Sequence, residues 1–135
     1  MGRRRLTLLI TTLAVLLGTA SAEAKQLTRY DVGGGLAGRF DRLVVASDGE
    51  AHQTGDSGEH HFTVSSKNLR GLKRELKAAK FKTLKRQYKP KFQVFDGITQ
   101  TIRYRGKAVS IYSGADNIPR RLSKVLSRIS RIMRP

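Results

Sequence analysis

Cysteine and tryptophan are absent from the 135-residue sequence, and only three prolines occur in it. Without cysteine the chain has no disulfide bonds, no thiolate metal ligands and no thiol nucleophile. A folded domain must then be stabilised by the packing of apolar side chains, and a chain of this length can bury enough surface for that. The sequence therefore indicates one domain with an apolar core.

Acidic residues are scarce as well, since 10 Asp and Glu stand against 27 Lys and Arg, a formal net charge of +17. Residues 67–135 contain 20 bases and three acids, whereas residues 23–66 contain four bases and seven acids. Such a cationic surface favours an anionic partner, either an acidic protein or an anionic envelope polymer. The basic residues that we expect to contact it are Lys67, Arg70, Arg74, Lys77, Lys85, Arg86, Lys89, Lys91, Arg120, Arg121, Lys124 and Arg128.

Long uncharged apolar segments are rare, and the prominent one is residues 6–18. This segment is shorter than the ~20 residues that usually span a membrane. Three arginines at 3–5 precede it, and the small-residue sequence Ala20-Ser21-Ala22 follows it. A basic start, an apolar centre and an A-x-A site are typical of a signal peptide.

The N-terminal pattern therefore predicts a signal peptide over residues 1–22, with cleavage after Ala22 or Ala24. The remaining residues, 23–135, are expected to form a single basic domain without a transmembrane span. We expect this domain to be a monomer that is secreted, periplasmic or associated with the cell wall.

Motifs of catalysis and cofactor binding are also missing. The glycine-rich segment Gly33–Gly38 lacks the Gly-Lys-Ser/Thr ending of a phosphate-binding loop, and the sequence has no nucleophile elbow or metalloprotease helix motif. We therefore expect no enzyme and no cofactor. No recognisable nucleic-acid-binding module occurs either, which disfavours a nucleic acid partner.

Histidine is the remaining source of site chemistry, because His52, His60 and His61 could bind a metal together with Asp56 and Glu59. Adjacent residues on a strand point to opposite faces of the sheet. At most one of His60 and His61 can therefore join His52. We interpret all three as polar positions of loops and strand edges, and expect no metal.

Periodic patterns predict the secondary structure. Ile98–Tyr104 alternates apolar and polar residues and is followed by a returning strand, the clearest hairpin of the sequence. Asp48-Gly49 predicts a type I′ turn between two further strands. Apolar residues at helical spacing predict one helix from Ser66 to about Lys80 and another that starts at Pro119. The expected fold is an α+β domain, with an antiparallel sheet of about four to five strands covered by two amphipathic helices.

The order of several short motifs resembles the emfourin family of inhibitors of thermolysin-like metalloproteases. The motifs are Gly34-Gly35-Leu36-Ala37-Gly38 after the first strand, Leu76–Leu84 at the end of the first helix, Asp96-Gly97 before the hairpin Thr99–Tyr104, and Asp116-Asn117-Ile118-Pro119 before the last helix. The resemblance spans about residues 27–132. It implies a compact α+β domain that blocks a protease cleft with exposed loops.

Two loops are candidates for the inhibitory segment that this resemblance implies. A thermolysin-like cleft favours bulky apolar side chains, which suggests Leu36 beside Gly35 in the glycine turn. Asn117, Ile118 and Pro119 are the second candidate, because proline pre-organises a loop and lowers the entropic cost of binding. Leu36 and Ile118 are equally compatible with positions in the core. The alternative function is an envelope-associated module that binds anionic polymers or lipid headgroups through its basic surface.

Overall fold

Seven strands, two α-helices and one 3₁₀ turn follow one another along the chain. The structure, a computed structural model, describes residues 24–133, and the predicted signal peptide lies outside them. The elements are β1 (Gln26–Gly34), β2 (Arg39–Ala46), β3 (Glu50–Gly55), β4 (Gly58–Thr63), α1 (Ser66–Ala78), the 3₁₀ turn (Phe81–Thr83), β5 (Gln87–Tyr88), β6 (Ile98–Tyr104), β7 (Lys107–Tyr112) and α2 (Arg120–Met133). The α+β content expected from the sequence is confirmed.

All seven strands belong to one sheet, in the order β4-β3-β2-β1-β6-β7-β5. Neighbouring strands are antiparallel except β5, which runs parallel to β7 through the pairs Gln87↔Ser110 and Tyr88↔Ile111. The predicted antiparallel sheet of four to five strands is therefore wrong in both strand number and direction. The sheet is mixed because the two-residue strand β5 joins its far edge, and a strand of two residues has no alternating pattern that a sequence could reveal.

The core lies between one face of this sheet and the two helices. Side chains alternate between the two faces of a strand, so every second residue of a strand shares a face. On the helix side these residues are buried, namely Tyr30, Val32, Leu43, Val45, Ile102, Tyr104, Val109 and Ile111. The helices contribute the buried residues Leu72, Leu76, Leu122, Val125 and Ile129. The apolar helix stripes seen in the sequence thus cover the sheet.

Helix α1 has the bounds expected from its sequence to within two residues. Its N-cap is Ser65, whose Oγ accepts a hydrogen bond from the backbone N–H of Asn68 at 3.3 Å. The helix ends before Lys80, whose φ of 50° is left-handed. After the helix, Phe81 in the 3₁₀ turn, Leu84 directly after that turn and Tyr88 in β5 are buried in the core.

A partly buried ion pair joins the two helices. The guanidinium of Arg128 on α2 donates to both carboxylate oxygens of Glu75 on α1, at 2.8 and 3.2 Å, and to the Asn68 Oδ1 at 3.2 Å. Only 13% of the Arg128 side chain and 16% of the Glu75 side chain are exposed. Gly71 makes room for this contact, because a Cβ at that position would lie 2.7 Å from the Arg128 Cζ.

The hairpin turns differ from the turn that the sequence predicts. A type I′ turn needs a positive φ at both central residues. Between β2 and β3 only Gly49 has one, so the type I′ turn predicted at Asp48-Gly49 is wrong. Arg105 and Gly106, between β6 and β7, have φ values of 47° and 77° and meet this condition.

The second face of the sheet is polar and partly open to solvent. Its centre is Asp31, which forms ion pairs with Arg29 at 2.8 Å and Arg42 at 2.6 Å and lies 4.0 Å from Arg103. Burial raises the pKa of the Asp31 carboxyl, but the hydrogen bonds from Arg29 and Arg42 outweigh burial and hold that pKa below its usual value. One carboxylate thus keeps several arginines in place on the open face.

Candidate functional site

The glycine turn between β1 and β2 is fastened to the loop between β5 and β6 at one end of the sheet. The Gly35 N–H donates to the Gly97 carbonyl at 3.2 Å, and the Leu36 N–H donates to the carboxylate of Asp96. Gly34 has a φ of 109°, and a Cβ there would lie 2.7 Å from the Gly97 oxygen. Glycine is therefore required at Gly34, both for its φ and for this close approach.

Large apolar side chains are exposed at this end of the molecule. Leu36 is 90% exposed, Phe92 84%, Val94 46% and Phe95 95%. We call these four residues the apolar tip. The one further exposed large apolar side chain among residues 24–133 is Phe40, which pairs with Gly33 at the same end of the sheet. Their concentration at one end is informative, because apolar patches on a protein surface commonly mark interaction sites.

The second predicted loop has a different environment. Ile118 is partly buried and packs against the core, so it is a packing residue rather than an exposed one. Asn117 is exposed with a left-handed φ of 57°. The Pro119 carbonyl accepts hydrogen bonds from the backbone N–H groups of Leu122 and Ser123 at the start of α2. Of the two candidate loops, the glycine turn is the one that offers an apolar side chain to a partner.

The predicted basic contact residues are almost all accessible. Eleven of the twelve are exposed and form no ion pair within residues 24–133, namely Lys67, Arg70, Arg74, Lys77, Lys85, Arg86, Lys89, Lys91, Arg120, Arg121 and Lys124. We call these eleven residues the basic surface. Arg128 is the exception, because its charge is matched by Glu75 inside the helix pair. A helical pattern shows which face of a helix is polar but not what the neighbouring helix places against it.

The two edges of the sheet carry opposite charge. Lys85, Arg86, Lys89 and Lys91 lie just before and just after β5, the strand at one edge. At the other edge, residues 43–66 include β3 and β4 and contain four acidic residues and no Lys or Arg. The uneven charge of the sequence therefore becomes a separation of charge in space.

Three side chains of the kinds that ligate metals come together on the β3–β4 hairpin, at residues that the sequence analysis interpreted as polar loop and strand-edge positions. His52 and His61 are directly opposite each other, and Glu59 lies two residues before His61 on the same face. The carboxylate of Glu59 is 2.6 Å from the His52 Nε2 and 3.3 Å from the His61 Nε2. A side-chain hydrogen bond from His52, and a further one from His61, lower the pKa of the Glu59 carboxyl.

His60 lies on the other face of the same strand, opposite Gln53, where both residues line an open cleft. The sequence argument that only one of His60 and His61 can join His52 is thus correct, and His61 is the one. What the sequence lacked was the register of β3 against β4, which sets His52 opposite His61. Hairpin register depends on the turn, and a shift by one residue would place His60 there instead.

Fold and site together define a small α+β domain with a one-sided helical layer, a basic surface and an exposed apolar tip. No helix within residues 24–133 has the length and apolar character to cross a membrane. Residues 42–133 match the family described as Domain of unknown function (DUF6438), and the chain belongs to this family. The match includes Phe92, Val94 and Phe95, whereas β1 and Leu36 precede it. The comparison with curated proteins gave no match.

Proposed function

We propose that this protein is a non-enzymatic, exported binding protein that inhibits a thermolysin-like metalloprotease by inserting the apolar tip into its substrate cleft. The observation that carries the proposal is that Leu36 is 90% exposed while its backbone is held in place by Asp96 and Gly97. The resemblance to the emfourin family supplies the class of protease. The family description names no activity, so the inhibitor assignment rests on the tip and on that resemblance.

Binding of the tip is favoured by both its apolar surface and its fixed backbone. Transfer of a Leu or Phe side chain from water into a pocket contributes about 1.5–3 kcal/mol. A loop that is already ordered loses less conformational entropy on binding than a flexible loop does. Two hydrogen bonds order the turn: the Gly35 N–H donates to the Gly97 carbonyl, and the Leu36 N–H donates to the Asp96 carboxylate. These are the properties of a loop that occupies a cleft without being rearranged.

The charge near the tip favours an acidic partner. Lys89 and Lys91 are exposed and directly precede Phe92 in the same loop. Complementary charge around an interface mainly raises the rate of association, and added salt lowers that rate. We therefore expect inhibition by this protein to set in more slowly at high ionic strength, with little change in the dissociation rate.

The test is inhibition of purified thermolysin-like proteases by the purified protein. We expect inhibition at micromolar concentration, and we expect Leu36→Ala to weaken it by about tenfold or more, the equivalent of 1.4 kcal/mol. Gln26→Ala is the matched control, because Gln26 is exposed at the start of β1, the end of that strand opposite to the glycine turn, and lies outside the basic surface. It should leave inhibition unchanged. The proposal fails if the folded wild-type protein does not inhibit any of these proteases.

The second candidate function is attachment to an anionic envelope polymer. The observation that favours it is the basic surface, whose eleven residues have no acidic partner within residues 24–133. Binding of a polyanion releases its counterions, so the affinity falls steeply and linearly on a log scale as salt rises. Binding to polyphosphate at several salt concentrations tests this function. A triple change of Arg120, Arg121 and Lys124 to Ser should weaken such binding and lower its salt dependence, while Leu36→Ala should not.

A further inference from the structure

The hairpin of β3 and β4 places all three histidines of the chain within ten residues of one another. His52 and His61 share the outer face, away from the helices, and Glu59 is beside them. The imidazole rings of His52 and His61 stack with their centroids 4.2 Å apart and 8° from parallel. Two imidazoles and one carboxylate thus face solvent together on a paired, regular segment of backbone.

The distances suit one shared metal ion. One ligand atom from each of His52, Glu59 and His61 can be chosen so that all three lie within 4.8 Å of one another. Zinc binds His nitrogen and carboxylate oxygen at about 2.0–2.2 Å, so neighbouring ligand atoms of a tetrahedral site are about 3.3–3.6 Å apart. The side chains are 40%, 59% and 71% exposed for His52, Glu59 and His61, and small rotations can therefore close the site.

The hairpin segment itself is acidic, although Arg131 of α2 lines the cleft on its helix side and the Lys73 Nζ of α1 donates to the Ser47 carbonyl. Residues 43–66 contain Asp48, Glu50, Asp56 and Glu59 but no Lys or Arg, in a chain whose overall charge is strongly positive. On the outer face the nearest basic residue of β2 is Arg42, which pairs with Thr54 in the sheet register. The Arg42 guanidinium is bound to the carboxylate of Asp31 at 2.6 Å. Its charge is thereby matched by a carboxylate on the side of β1.

We propose that His52, Glu59 and His61 bind a zinc ion, with water as the fourth ligand. Imidazole nitrogens select zinc and its neighbours among the transition metals, whereas calcium and magnesium prefer sites made only of oxygen. The ion links the edge strand β4 to β3 across the hairpin. It therefore stabilises the edge of the sheet that no further strand covers among the described residues.

The experiment is calorimetric titration of zinc into the purified protein, prepared without a histidine tag and treated with chelator. We expect one zinc per chain, and we expect His52→Ala and His61→Ala each to weaken binding by at least about tenfold. His60→Ala is the matched control, because His60 is the neighbour of His61 but lies on the opposite face. It should bind zinc as the wild type does.

A second measurement covers the case in which one of these variants does not fold. Cobalt in place of zinc should give the visible absorption of a tetrahedral site in the wild type and in His60→Ala, and Glu59→Gln should weaken or remove it. The proposal is overturned if the wild type binds no zinc at concentrations up to about 100 μM. It is overturned equally if His60→Ala weakens binding as much as His61→Ala does.

Discussion

The β3–β4 hairpin and the helical layer of this protein differ in charge, in packing and in the side chains they offer to solvent. The hairpin segment, residues 43–66, has four acids, no Lys or Arg and all three histidines. The helices α1 and α2 have exposed Lys and Arg on one side and the core on the other. His52, Glu59 and His61 lie on the face of the sheet opposite the helices, so the sheet itself separates these side chains from the basic helix surface.

This comparison shows that a net charge of +17 does not describe the surface a partner meets. Under the two proposals, an acidic partner protein contacts the helices and the loop after β5, and a metal cation binds to the hairpin. The two proposals can therefore fail independently, because neither uses a residue of the other.

The first prediction concerns the ion pair between Arg128 and Glu75, which joins the two helices. Arg128→Ala leaves the carboxylate of Glu75 without its partner in a site that is mostly buried. Removal of one partner of a buried ion pair commonly costs 3–5 kcal/mol, and because this pair keeps some exposure we expect the free energy of unfolding to fall by about 3 kcal/mol. Urea denaturation measures it.

Lys124→Ala is the control for this prediction, since Lys124 is an exposed member of the basic surface on the same helix. It should change stability by no more than about 0.5 kcal/mol. An equal loss of stability in the two variants would contradict the structure, in which Arg128 is paired and Lys124 is not.

The second prediction compares a glycine beside the apolar tip with one in the hairpin. Gly34 and Gly58 have nearly the same φ, 109° and 106°, but a Cβ at Gly34 would meet the Gly97 oxygen while a Cβ at Gly58 would have nothing within 4 Å. Both Gly→Ala changes place an alanine at nearly the same positive φ, so the difference between them mainly reports this contact. We expect Gly34→Ala to destabilise by about 1–2 kcal/mol more than Gly58→Ala.

Thermal or urea unfolding of the two variants tests this difference. Gly34→Ala should also weaken protease inhibition, because it displaces the turn that holds Leu36. Equal destabilisation by the two changes would show that the turn and the β5–β6 loop are not packed against each other in solution.

The third and smallest effect concerns the open face of the sheet, between the two charged edges. The folded-state pKa of Asp31 is lowered, so the stability it contributes is present above the unfolded value of about 3.9 and is lost as the pH falls through the folded value. Asp31→Asn should therefore lose less stability than the wild type between about pH 5 and pH 2.

Unfolding midpoints across this pH range measure the effect, with Asp116→Asn as the control at an exposed aspartate in the loop before α2. The assignment of Asp31 is contradicted if both variants retain the full acid sensitivity of the wild type. A lower acid sensitivity in Asp31→Asn alone would support the ion pairs of Asp31 with Arg29 and Arg42.

Local patterns were sufficient for much of the fold. The strand Ile98–Tyr104 was predicted with the observed bounds because its residues alternate over a full strand. Helix α1 was predicted to within two residues because its apolar residues recur at helical spacing. The strand β5 was missed, and with it the mixed sheet, since its two residues pair with residues of β7 that lie 23 positions later (Gln87↔Ser110).

The site was less predictable because it depends on contacts between distant segments. The sequence left Leu36 open between an exposed loop and the core, and nothing in it shows that Asp96 fixes its backbone or that Phe95 is exposed beside that contact. Arg128 was expected on the surface, because its own helix pattern does not show that Glu75 of the other helix pairs with it. The His52–His61 pair needed a register that only the folded hairpin defines.

The central claim is that the apolar tip occupies the substrate cleft of a thermolysin-like protease. Its most direct test is competition: the binding of the protein to an immobilised protease is measured with and without a small inhibitor that fills the active site. The account predicts that the small inhibitor prevents binding and that Leu36→Ala binds weakly in its absence. Simultaneous binding of both, or no binding at all by the folded protein, would contradict it.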